Sequence, residues 1–149
     1  MPEHPELEEL PEWPTRTIAV LATVDDGPYS IPVSAPVRAG SRRILISLHR
    51  SRGSLARLGR CARVALTILT EGDLAFTARG CARIVERPLA PTPDYVAIAI
   101  DVERIDDHRQ VEFRVESGID RRWVDENEQR ALQARVNALR GLAASPTAA

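Results

Sequence analysis

Lysine is missing from this chain of 149 residues, so all 20 of its basic side chains are arginines. That absence excludes a Schiff-base nucleophile and the lysine of a phosphate-cradling Walker loop, and it leaves guanidinium as the group to hold an anion. Cysteine is scarce. Cys61 and Cys81 stand apart, without CxxC spacing or a histidine cluster, which excludes a zinc site and a disulfide framework and predicts two buried small hydrophobes. No apolar run is long enough to span a bilayer, so no membrane partner is expected. The first 13 residues hold five glutamates and three prolines with neither lysine nor arginine, the opposite of a cationic, apolar export signal, and a cytoplasmic location follows as the expectation. Acidic and basic residues nearly cancel to a net charge of −1, which argues against general nucleic-acid binding. No Ser/His/Asp arrangement, paired-carboxylate signature or internal repeat is visible.

What the chain does contain is a succession of short apolar strands punctuated by turns. Thr17 to Val24 alternates Ile18, Val20, Ala22 and Val24 with Ala19, Leu21 and Thr23, a strand whose two apolar faces must both be covered. Asp25-Asp26-Gly27-Pro28 supplies a hairpin turn and Tyr29 to Val37 the returning strand. Pro32 and Pro36 interrupt that return. Lacking an N–H, they place it at an edge, at a bulge, or where something other than a strand, such as a flat ligand, lies alongside. Arg43 to Leu48 reads as a third strand, Ser54 to Arg60 as a short helix, Arg63 to Thr70 as a fourth strand and Leu74 to Glu86 as a fifth, bent at Gly80. Tyr95 to Arg104 and Gln110 to Glu116 alternate as strands six and seven. Beyond Gly118 the period becomes helical, with Leu132, Val136, Leu139 and Ala143 on one face. The acidic piece Glu6 to Leu10 is expected to lie across the barrel end or fray, with Leu7 and Leu10 on one face of a helical turn if one forms; Ala144 to Ala149 is expected to be disordered. These elements predict one mainly β domain, a small antiparallel barrel of six to seven strands with a short internal helix and a C-terminal helix.

Candidate chemistry concentrates where the third strand ends. Ser47-Leu48-His49-Arg50-Ser51-Arg52-Gly53-Ser54 leads from strand into helix, with Arg57 a turn further on. Backbone N–H groups and the helix dipole favour an anion there, the serine hydroxyls can donate to it, and the arginines supply fixed charge. A bound phosphate is the sharper reading. The plainer one is a solvated surface loop whose Ser54 caps the helix.

Three stretches, taken in order, are similar to one known family. The run Ile18 to Ser34, IAVLATVDDGPYSIPVS, resembles the first hairpin of the pyridoxamine 5′-phosphate oxidase-like, FMN-binding split-barrel family. Arg43 to Arg63 resembles its phosphate segment, and AFTARGCARIV, Ala75 to Val85, its G-x-A-x-V strand. Val96 to Trp123 is similar in pattern to short actinobacterial members. The resemblance implies an antiparallel split β-barrel, an acidic N-terminal segment over 1–16, a flavin-binding domain over 17–118, and a C-terminal helix and tail over 119–149. It implies a homodimer with two cofactor sites at the interface, which would cover the second apolar face of Thr17 to Val24 and of Arg63 to Thr70. It also implies that a flavin or deazaflavin ring lies along Ile31, Pro32, Val33 and Ser34. By position, Ser47 matches the hydroxyl ending the third strand and Arg52 the phosphate-clamping arginine, flanked by His49 and Ser51. Where Ser54 stands, many members carry a lysine at or beside that position; here the charge falls to Arg52, with Arg50 or Arg57 in support.

The expected function is an oxidoreductase using FMN or the 8-hydroxy-5-deazaflavin coenzyme on a small-molecule substrate, the cofactor carrying the chemistry so that no catalytic side chain is named. The alternatives are a non-catalytic flavin- or haem-binding carrier or sensor, and a structural dimer with an empty cleft. The remaining candidates are His4, in the tail, His108, in a turn, and Arg121, Arg122 and Trp123. These last three read either as a clasp over a ring edge or as a linker in which Trp123 anchors the final helix.

Overall fold

The period-two alternation becomes one curled sheet in the computed structural model, which describes residues 5–90 and 92–145. Seven strands pair antiparallel: β1 (Ile18–Val24), β2 (Pro28–Ser34), β3 (Val37–Arg38), β4 (Arg43–His49), β5 (Arg63–Thr70), β6 (Leu74–Glu86) and β7 (Tyr95–Asp107). Helix α1 (Gly53–Arg60) joins β4 to β5, and α2 (Glu126–Ala144) follows β7 after a long irregular stretch. The order across the sheet is β2-β1-β5-β6-β7-β4-β3, so β2 and β3, neighbours in sequence, form its opposite margins. Ala35, at φ 53°, turns the chain between them, its N–H bonded to the Thr17 carbonyl at 2.8 Å. The sheet thus curls until β2 lies beside β4 without a ladder between them, and a slit runs down that seam.

The barrel interior is filled by inward positions of every long strand, among them Leu21, Ile46, Leu66, Phe76, Ile98 and Ile105, all fully buried. Burial of such a side chain contributes about 1.5–3 kcal/mol relative to leaving it exposed. Gly80 makes the closing bend. The register of β6 against β7 slips at Arg79/Gly80, and a Cβ on Gly80 would lie 2.0 Å from the Asp101 carbonyl oxygen. A second apolar layer sits outside β4 and β7, where Leu45, Ala97 and Ala99 are covered by Leu132, Val136 and Leu139 of α2. The small alanines let the helix approach the sheet, and Asp125 caps it, accepting from the Asn127 N–H at 2.9 Å.

Several details differ from the sequence reading. Tyr29 to Val37 is not one strand: it breaks at Ala35 and Pro36, where the chain crosses from one sheet margin to the other. Gln110 to Glu116 forms no strand, only an isolated bridge between Gln110 and Phe113: it pairs with no strand of the sheet, and alternation without a partner strand makes no ladder. The seventh strand is the two-residue β3 instead. Residues 109–125 run as a strap, fastened where the Asp73 N–H donates to the Val115 carbonyl and the Val115 N–H to the Asp73 carboxylate. Glu6 to Leu10 forms no helical turn; it lies extended across the barrel end, the Leu7 N–H on the Ile105 carbonyl at 2.9 Å and Leu10 buried in the core. Cys61 and Cys81 are free and only half-buried, not core residues. Ala144 is the last helical residue and Ser145 caps α2; the rest of the expected tail, residues 146–149, lies outside the described residues, as does His4.

Candidate functional site

Below Leu45 the β3 ladder ends, which leaves the Ser47 to His49 end of β4 facing the edge of β2. A cleft of about 110 Å³ opens there. One wall is Ile31, Pro32, Val33 and Ser34 of β2; the other is Ser47, Leu48 and His49 of β4, with Arg52 from the turn before α1. Tyr95, at the start of β7, and Leu132 and Arg135 of α2 complete the lining. Pro32 costs no ladder bond, because β2 is an edge strand. No carboxylate lines the cleft.

The proposed cofactor residues divide. Ile31, Pro32, Val33, Ser34, Ser47, His49 and Arg52 are brought together around the cleft, and Ser51, Ser54 and Arg57 are not. Ser51 sits in the exposed turn, where its Oγ lies 2.7 Å from His49 Nδ1. Ser54 is buried inside α1, and the helix begins after Arg52 with no side-chain cap, so Ser54 does not cap it. Arg57 points the other way along the helix: its Nε donates to Thr23 Oγ1 at 3.0 Å, its guanidinium donates to Ser54 Oγ at 3.2 Å, and it stacks 4.1 Å above the Tyr29 ring. Arg50 pairs with Asp94 at 3.2 Å.

The Ser51 backbone N–H donates to His49 Nδ1 at 3.2 Å, so that nitrogen is an acceptor. With Nδ1 accepting, a proton on the ring stands on Nε2. The ring also meets Tyr95 edge to face, with centroids 5.1 Å apart. At the cleft margin Arg121 donates to Ser34 Oγ at 2.7 Å and lies 4.6 Å over the Trp123 ring, while Trp123 packs against the α2 layer. Burial pushes the Arg121 pKa down. Arg121 thus touches the cleft wall, and Trp123 anchors the final helix. His108 is structural, its Nε2 2.8 Å from Thr77 Oγ1. Among the described residues no acidic, histidine or cysteine cluster could hold a metal ion, and no helix is long and apolar enough to cross a membrane.

Sequence reasoning missed Tyr95 and Arg135. The signal for Arg135 was available: an arginine at helical spacing among Leu132, Val136 and Leu139 is a charge on the face that packs inward. A larger hollow, about 540 Å³, opens between the N-terminal segment and the end of α2. Its arginines are already engaged, Arg38 on the Leu10 carbonyl and Arg140 on Thr15 Oγ1, so the smaller cleft is the chemically distinctive one.

A curled antiparallel sheet slit along one seam, with a polar cleft at the slit, is the split-barrel architecture. The solved structures it resembles share that fold at low sequence identity. A Lactobacillus delbrueckii protein inferred to be a pyridoxamine 5′-phosphate oxidase matches with a TM-score of 0.57 at 19% identity, over 67% of this chain and 97% of that one. An F420 reductase matches at 0.53 and 15% identity, over 62% of this chain and 91% of that one. A FAD-binding protein from Mesorhizobium loti matches at 0.50 and 14% identity, over 60% and 83%. The chain matches no protein-family model and no curated protein.

Proposed function

We propose that this chain binds a flavin-type cofactor, FMN or the 8-hydroxy-5-deazaflavin coenzyme, and works as an oxidoreductase on a small molecule. One observation carries the reading: the seam of the barrel ends in a cleft that presents Arg52, Arg135, His49 and the hydroxyl of Ser47 without any carboxylate. Such a lining suits the phosphate end of the cofactor. The fit is partial by volume. A cleft of about 110 Å³ is smaller than the roughly 300–1,000 Å³ of sites that enclose a whole small molecule. The cleft accommodates the anionic end, and the ring would extend along Ile31 to Ser34, beyond the enclosed space. A bound flavin or deazaflavin would supply hydride transfer. The chain's own part is to fix the anion with Arg52, to donate from His49 Nε2, and to offer the β2 edge as a platform.

The outer faces of β1 and β5 support a homodimer. Val20, Val24 and Leu69 are exposed there, Leu69 at 52% of its surface, and a second copy would cover them.

The test is the visible spectrum of purified protein, followed by titration of FMN, deazaflavin and haem. Micromolar binding of either ring cofactor together with turnover of its reduced form supports the reading. Binding without turnover leaves a carrier, and indifference to both ring cofactors refutes the proposal.

A further inference from the structure

Helix α2 carries one side chain at odds with its surroundings. Leu132, Val136 and Leu139 turn inward as an apolar face should, and Arg135 turns inward with them, only 8% exposed. No carboxylate pairs with it among the described residues, and its Nε has no hydrogen-bond partner. The guanidinium carbon lies over the Tyr95 ring, 3.8 Å from its centre. That stacking offsets part of the cost of burying a charge. It cannot satisfy the N–H donors, which lie in the guanidinium plane, at its edges rather than on its face. The side chain lines the cleft together with His49 and Arg52, where no acidic residue competes for its guanidinium. A cation held there without a carboxylate is suited to an anion.

We propose that Arg135 is an anion-binding residue, gripping from α2 the phosphate group that Arg52 meets from the turn before α1. The helix is then part of the binding site as well as a cover for β4 and β7. This rests on reading the cleft as the seat of the cofactor phosphate. It adds a second cation, which replaces the support that Arg50 and Arg57 cannot give, since one is paired with Asp94 and the other engaged with Thr23 and Ser54. It also ties anion binding to the docking of α2.

Inorganic phosphate tests the proposal without a ring. At millimolar phosphate and constant ionic strength, the wild type should gain in Tm, and amide exchange across residues 131–139 should slow. Arg135→Gln should match or exceed the wild-type Tm in phosphate-free buffer, because an unpaired buried charge is gone, and should gain nothing from phosphate. Arg135→Lys keeps a charge without the planar fork and should give an intermediate gain. An equal phosphate-induced gain in wild type and Arg135→Gln, or no change in wild-type Tm and exchange, overturns the assignment. Should Arg135→Gln fail to fold, wild-type exchange decides: slowing over 131–139 supports Arg135, and its absence overturns it. FMN and riboflavin separate this from the functional reading. FMN weakened at least tenfold in Arg135→Gln with riboflavin unchanged supports both. FMN bound equally by the two proteins overturns the arginine's role and leaves the cofactor reading standing. Phosphate held through Arg135 by a protein that ignores FMN and deazaflavin supports the anion site and overturns the cofactor reading.

Discussion

Replacing Arg52 with alanine isolates what the β4–α1 turn contributes to anion binding. The side chain is exposed and makes no ion pair among the described residues. Its structural contacts are all backbone: its N–H donates to the His49 carbonyl at 2.9 Å, and its carbonyl accepts from the Leu55 N–H at 3.1 Å. Alanine keeps both, so folding should be unchanged and the loss confined to binding. A hydrogen bond to a charged group contributes about 1.5–3 kcal/mol. At about 1.4 kcal/mol per factor of ten, FMN affinity should fall roughly 10- to 150-fold. Riboflavin, which has no phosphate, should bind the two proteins alike. Calorimetric titration of both ligands reads this directly. Because the charge is exposed, the gap between wild type and variant should narrow as salt rises. An equal loss for both ligands, or none for FMN, refutes the phosphate assignment. Arg57→Ala is the contrast: it strands the buried Thr23 hydroxyl and Ser54 hydroxyl, so it should cost about 1–3 kcal/mol of stability in urea and leave FMN affinity unchanged.

Gly80→Ala forces a Cβ into the Asp101 backbone, which cannot swing aside, so unfolding in urea should show a loss of about 2–4 kcal/mol; a loss under 1 kcal/mol would mean the β6 bulge is not fixed by that contact. Asp101 accepts from Arg83 Nε at 2.7 Å and Arg43 Nε at 3.0 Å, and those arginines, Arg83 first, hold its carboxyl below the ordinary 3.8. The folded pKa lies below the unfolded one, so the stabilisation is present above the carboxylate range and is lost as pH falls through the folded value. Asp101→Asn should therefore flatten the acid limb of Tm against pH, and an unaltered limb would remove Asp101 from the account. Leu69→Asp on the outer face of β5 should convert a dimer to monomers in light scattering, and a wild type already monomeric at all concentrations would end the dimer reading.

Most of the barrel was legible because its determinants are local. The alternation of Ile18 to Val24 and Arg63 to Thr70, the Asp-Gly turn and the glycine in β6 each state their structure within a few residues. Gln110 to Glu116 alternates just as well, but a strand needs a neighbour and the sheet supplies none, so Val111 stands 98% exposed. Ile31 to Ser34 and Ser47 to His49 line the cleft as consecutive residues, so the site lies along strand edges, and the two prolines of the returning segment were the sequence signal for such an edge. Arg57 and Ser54 were misplaced because the phase of a helix shifts by 100° per residue, and α1 begins one residue earlier than Ser54. The place of Arg135 depends on how α2 docks on β4 and β7, a long-range fact that only its position on an apolar stripe hints at.

Only Ala35 and Pro36 separate β2 from β3, so the two margins of the sheet are stitched at one end like the corners of a folded card. Leu132 and Arg135 of α2 line the cleft beside that stitched corner, so on the proposed reading occupancy and helix docking would stabilise one another. Substitutions on the helix face over Leu45, Ala97 and Ala99 would then alter binding without touching β2 or β4.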